Sequence, residues 1–243
     1  MEIILFYVLL FAVAFLYASV GHGGASGYLA LMALFAFAPE VMRPTALVLN
    51  IFVASVGAYQ YYKHGHFNWK LLWPFAIASV PASFIGGLIN LDADLYKKIL
   101  GVFLLIAIIR MIYSIQKKDG ELKKIPILLA LIIGTVIGIL SGMIGIGGGI
   151  ILSPIILLMG WGNMKQTAAV SAVFILVNSI SGLSGQLISG VTFSNNMWWM
   201  VAIAFAGGAT GAYFGARHAK PKILSYLLSF VLLIAAVKLL FGV

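Results

Sequence analysis

The chain has no cysteine among its 243 residues. Disulfides, thiolate catalysis and iron–sulfur ligation are therefore excluded. Charge is scarce as well: 9% of residues are Asp, Glu, Lys or Arg. No Asp or Glu falls in the middle of a long apolar run, which argues against a carboxylate-centred cation or proton pump. The histidines His22, His64, His66 and His218 are scattered without metal-ligand spacing, and His64 and His66 flank Gly65 as a solvated pair. No metal or other cofactor is expected. A GxxxxGK[ST] phosphate loop is missing, so ATP could act only through another subunit. The start, Met1-Glu2-Ile3, lacks the basic region of a cleaved signal peptide, so 3–20 is read as retained structure.

What fills the chain instead is apolar. Hydrophobic residues make up 63%, far above the share in soluble domains. About 20 such residues cross a hydrocarbon core of roughly 30 Å. Runs of that kind occur at 45–62, 70–90 and 95–114, and again at 165–189, 197–216 and 222–241. The net charge of +9 lies in the connections between them, as membrane topology requires, and nucleic acid is not an expected partner.

The two sets of runs resemble one another. The stretch from Leu95 to Ala107 matches the stretch from Ile223 to Ala235 at an offset of 128, and Arg110 meets Lys238 and Gly87 meets Gly215 at the same offset. Upstream, Arg43-Pro44-Thr45-Ala46 aligns with Lys165-Gln166-Thr167-Ala168, and Gln60 with Gln186. The chain reads as a duplication: 1–116 is a first repeat, 117–124 a charged cytoplasmic linker, and 125–243 a second repeat.

Each repeat opens on a segment broken by glycine: Gly21-His22-Gly23-Gly24 in the first and Gly145-Ile146-Gly147-Gly148-Gly149 in the second. Glycine costs about 1 kcal/mol per residue in a helix relative to alanine. The break predicts two hairpins, 3–20 with 28–37 and 125–143 with 150–161, whose short second arms suit re-entrant half-helices. Each repeat then crosses three times, an odd number, so the halves are inverted. Basic residues favour this arrangement over four parallel crossings. With the linker in the cytoplasm it places Lys63, Lys70, Lys165, Arg217, Lys220 and Lys222 inside, and leaves Arg43, Lys97, Lys98 and Lys238 outside. The expected fold class is thus an all-α polytopic membrane protein of two inverted repeats.

Small residues at intervals of four, Gly134, Gly138 and Gly142, then Gly207, Gly211 and Gly215, with Ser79, Ser83 and Gly87 in the first half, predict close helix crossings. Trp69, Trp73, Trp161, Trp198 and Trp199 lie near span ends and read as interfacial anchors.

With membrane carboxylates absent, a binding site must rest on backbone amides and neutral polar side chains. Helix N-termini that follow a glycine break present free N–H groups and a partial positive charge, which suits an anion. Paired breaks in two halves point to a transporter's binding site. The candidate binding residues are His22, Gly23, Gly24 and Ser26 at the first break and Gly147, Gly148 and Gly149 at the second. The following spans add Thr45, Asn50 and Gln60, and Thr167, Ser171, Asn178 and Gln186. Asn50 and Asn178 are the preferred pair, because amides are costly in lipid and face a bundle interior. His22 is the one candidate that titrates near neutral pH, either binding an anion or coupling transport to protons.

The motif 145–149 followed by Ser153-Pro154 resembles the glycine-rich motif of the sulfite exporter TauE/SafE family, also called toluene sulfonate uptake permeases. The Thr167-Ala168 pair, the glycine cluster at 208–215 and the short duplicated plan are similar too, so the likeness covers nearly the whole chain. The first break departs from the motif, carrying His22 and Ala25-Ser26-Gly27. The resemblance implies a prokaryotic inner-membrane transporter of a small sulfur-containing anion, such as sulfite, a sulfonate or a sulfoacetate-type compound, with direction open. A secondary transporter is the leading expectation. A passive anion channel and a membrane-embedded enzyme or redox subunit are the alternatives. Expected partners are the anionic substrate and the lipid bilayer, with a homodimer open.

Overall fold

The computed structural model describes residues 2–19, 24–113, 122–191, 193, 196–218 and 221–241. Every regular element among them is an α-helix: α1 (Glu2–Ser19), α2 (Ala25–Leu34), α3 (Pro39–Lys63), α4 (Trp69–Leu88), α5 (Ala93–Tyr113), α6 (Ile127–Ile144), α7 (Gly149–Met159), α8 (Met164–Ile188), α9 (Met197–His218) and α10 (Pro221–Phe241). In lipid a helix satisfies its own backbone polar groups, which is why an apolar chain of this kind folds this way. Four helices, α3, α4, α6 and α8, are long and apolar enough to cross a membrane. Helices α5, α9 and α10 have 21, 22 and 21 residues.

In the second half the helix breaks at the glycine run as expected, and in the first half the short arm is α2, three residues earlier than the 28–37 expected. Helix α6 ends at Ile144, and Gly145 caps it in the left-handed region at φ 91°. Gly147 and Gly148 keep positive φ, 69° and 76°, and α7 then runs for 11 residues, roughly 16 Å. That is about half a hydrocarbon core. In the first half, α2 has 10 residues. His22 and Gly23 lie outside the described residues, as does most of the charged linker. Of the linker's end, Lys123 N–H donates to Gly160 O at 2.8 Å, tying it to the C-terminus of α7.

Helix pairing repeats when the halves are exchanged. Contacts between α4 and α6 correspond to those between α9 and α1, and α3–α8 and α5–α10 correspond to themselves. The residues agree. A Cβ built on Gly57 would stand 3.6 Å from Ala172, and one built on Gly182 would stand 3.6 Å from Leu47, two contacts related by the same shift of 125 positions.

Small residues make these crossings. Gly134, Gly138 and Gly142 of α6 lie against the backbone oxygens of Phe75, Ser79 and Ser83 of α4, and Gly207 and Gly211 of α9 lie against those of Phe11 and Phe15 of α1. No side chain larger than hydrogen fits there, so the backbones approach closely. Helix α4 also meets α8 closely, with Gly87 on Gly182 O and Gly185 on Phe84 O.

Two expectations need correction. Trp161 is not an interfacial anchor: it is buried, with its ring 5.9 Å from that of Phe75. The turn that ends α7 at Gly160 folds the indole inward, whereas Trp69, Trp198 and Trp199 are about two-thirds exposed (65%, 65% and 67%). Arg43 does not belong to a loop. Helix α3 begins four residues earlier, at Pro39, and Arg43 in its second turn is 5% exposed.

Candidate functional site

The second glycine break is wedged between α3 and α8. A Cβ on Gly147 would lie 2.9 Å from Asn50 Nδ2, 2.9 Å from Ile175 Cγ2 and 3.0 Å from Ser179 Oγ. A Cβ on Gly149 would press on Ile175 and stand 3.3 Å from Ser171 O. The turn thus needs glycine twice, for positive φ at Gly147 and for room at both positions. Past it, Ile151 and Leu152 donate to Gly148 O at 3.1 Å each. The N–H groups of Gly149 and Ile150 stand at the open end of α7, where a helix leaves donors without intrahelical partners.

Two polar side chains face this turn without a partner. Asn50 is fully buried, and neither Nδ2 nor Oδ1 has a hydrogen-bond partner. Ser179 is fully buried with an unpartnered Oγ. Buried amides are normally bonded. Ser171 is held beside α7 by Ser153: the two hydroxyls are 2.9 Å apart, and Ser153 Oγ donates to Gly149 O at 2.6 Å.

The remaining sequence candidates divide. Asn178 is buried on α8 with both its donor bonds committed, to Ser79 Oγ at 3.0 Å and to Phe174 O at 2.9 Å, and its main-chain carbonyl accepts from Ser83 Oγ at 2.9 Å, leaving Oδ1 alone without a partner. It clamps α8 to α4. Gln186 is fully buried and donates to Gly142 O at 2.8 Å, joining α8 to α6. Gln60, its proposed counterpart, is exposed near the end of α3. Thr45 and Thr167 are buried with unpartnered hydroxyls, and Thr167 Oγ1 lies 3.3 Å from a Cβ built on Gly162, at the far turn of α7. At the first break, Ser26 is bonded to Tyr17 OH at 2.8 Å, and Tyr28 OH, buried and unpartnered, closes over Gly24.

Ser179 escaped the sequence reading. Ser179 sits in an Asn178-Ser179-Ile180-Ser181 cluster inside an apolar run, which marks a polar site but not which member faces it. No group of three or more metal-ligating side chains occurs among the described residues. A cavity of about 680 Å³ opens between α3, α8 and α9, lined by Val48, Phe52, Leu183, Met197 and Trp198 among others, and its walls carry no charge to hold a small anion.

An all-helical architecture with a helix broken inside the bundle, and an unpartnered Asn50 amide and Ser179 hydroxyl at the break, is the pattern that marks the binding site of membrane transporters. The chain belongs to the sulfite exporter TauE/SafE family, whose sequence model matches residues 6–239. It is 42% identical over 235 residues, 95% of each chain, to a "probable membrane transporter protein" of Sinorhizobium fredii. Proteins of the same description are similar in Methanocaldococcus jannaschii, 33% identical over 59% of this chain and 54% of that one, and in Bacillus subtilis, 25% identical over 84% of this chain and 81% of that one. No solved structure matches the chain.

Proposed function

We propose that the protein is a secondary transporter of a small oxyanion, of the sulfite, sulfonate or sulfoacetate type, bound at the α6–α7 break. One observation carries this reading: Asn50, wholly buried, holds an amide without partners against Gly147 at the open end of α7. An anion there would take the Asn50 Nδ2 donors, the Ser179 hydroxyl and the N–H groups of Gly149 and Ile150, with the helix dipole adding about half a positive charge. The sulfur preference rests on the family. Substrate would move as two inverted halves rock around this turn, and His22 would couple the cycle to protons.

The test is thermal stabilisation of the purified protein by a panel of sodium salts, namely sulfite, sulfate, sulfoacetate and phosphate, against sodium and potassium chloride. An anion at 100 times its dissociation constant adds about 2.7 kcal/mol of apparent stability. Stabilisation by oxyanions, absent in Asn50→Ala, supports the site; a response to cations alone overturns it. Counterflow in proteoliposomes separates a carrier from a channel, and His22→Ala should flatten the pH profile of flux.

A further inference from the structure

We propose that Arg43 forms a second, outer anion-binding station beside the Asn50–Gly147 site. This rests on the transport reading above and adds the fixed positive charge which that site lacks.

Positions 43, 47 and 50 fall on one face of α3 by helical spacing, and Arg43, Leu47 and Asn50 are all buried. The two polar members are seven positions apart, about 10 Å along the axis. Both touch the same break. A Cβ on Gly145 would lie 2.8 Å from Arg43 O, and one on Gly147 would lie 2.9 Å from Asn50 Nδ2. The main chain of Arg43 therefore marks one edge of the turn and Asn50 its interior, while the guanidinium extends from that edge to the end of α4.

The guanidinium is underused. Its Nη2 donates to Ile89 O at 2.9 Å, at the C-terminal cap of α4, and its buried Nε has no partner. Beside it Tyr96 OH donates to Ile144 O at 3.1 Å, at the end of α6. The one acid beside it on α3, Glu40, is exposed and supports its charge only through the field it casts, not through a buried counter-ion. Asp92 and Asp94, at the start of α5, are exposed too, and Asp92 accepts from Asp94 N–H. The C-terminal dipoles of α4 and α6 hold the cation in place. A buried charge without a full counter-ion is nonetheless expensive, and the guanidinium fork is shaped for an oxyanion. By the shift of 125 that relates α3 to α8, the position of Arg43 in the second repeat is Ala168, and the nearby Lys165 is exposed. The buried station thus belongs to one half alone and makes the two halves unlike.

The experiment compares wild type, Arg43→Lys and Arg43→Gln as purified protein and in proteoliposomes, with sulfite as probe. Arg43→Gln should raise the half-saturating sulfite concentration, both for thermal stabilisation and as KM for flux, by about tenfold or more, with saturated turnover little changed. Arg43→Lys should fall between, because it keeps the charge and loses the fork; it also serves where the glutamine variant fails to fold. A purely helix-capping role predicts a lower Tm in the variants with the sulfite-induced shift and KM unchanged, and that result overturns the proposal while leaving the Asn50 pocket standing. A wild-type protein that no oxyanion stabilises overturns both.

Discussion

Asn50 and Asn178 are the same residue type at similar depth, yet their surroundings give them opposite roles. Asn178 spends its donors between α8 and α4, so Asn178→Ala should destabilise by about 1–3 kcal/mol through the lost bonds and an orphaned Ser79. Asn50 has no bond to lose, so Asn50→Ala should leave the Tm within a degree or two in the absence of anion and remove the oxyanion-induced shift. Melting curves of both variants, with and without sulfite, decide the matter; equal destabilisation would sink the distinction. Glycine offers a matching comparison. Gly65 at φ 72° has nothing within 4 Å of a built Cβ, whereas Gly147 at φ 69° is hemmed in on three sides. Gly65→Ala should cost about 1 kcal/mol from backbone strain alone. Gly147→Ala adds a steric clash to that and should cost clearly more, as well as abolishing transport.

Helices α6 and α9 use one device, a stripe of glycine against a partner's carbonyls, to seat themselves on α4 and α1. Leucine at Gly138 or Gly211 cannot enter without parting the helices. Both variants should lose folded, monodisperse protein on size-exclusion chromatography, whereas leucine at Thr135, exposed on α6 and bonded only to Leu131 O within its own helix, should not. The glycines were visible as spaced letters; their partners were not. Ser79 and Ser83 were expected in the same seam, and they are there, their backbone oxygens under Gly138 and Gly142 while their hydroxyls serve Asn178.

The inverted arrangement makes a claim about sidedness at the scale of the whole molecule. The chain has no native cysteine, so single cysteines can be read without background. His64 follows the end of α3 and Gly190 the corresponding end of α8. Cysteines placed there should react with a membrane-impermeant reagent from opposite faces, His64→Cys from the cytoplasm and Gly190→Cys from outside. Labelling of both from one face would show parallel halves and remove the basis for a shared mid-membrane site.

The amino-acid sequence by itself determined the membrane-spanning class, the place where α6 breaks and the small-residue seams. These depend on local physics: apolar length, the conformational range of glycine and its lack of a side chain. Only the tertiary structure decided that Asn50 is free and Asn178 bound, that Gln60 is exposed and Gln186 buried, and that Trp161 and Arg43 turn inward. In a helix hydrophobic on nearly every side, periodicity does not say which face meets a neighbour. Rotation about the axis is set by the partner helices, and that rotation determines which polar atoms find a bond and which are left for a ligand.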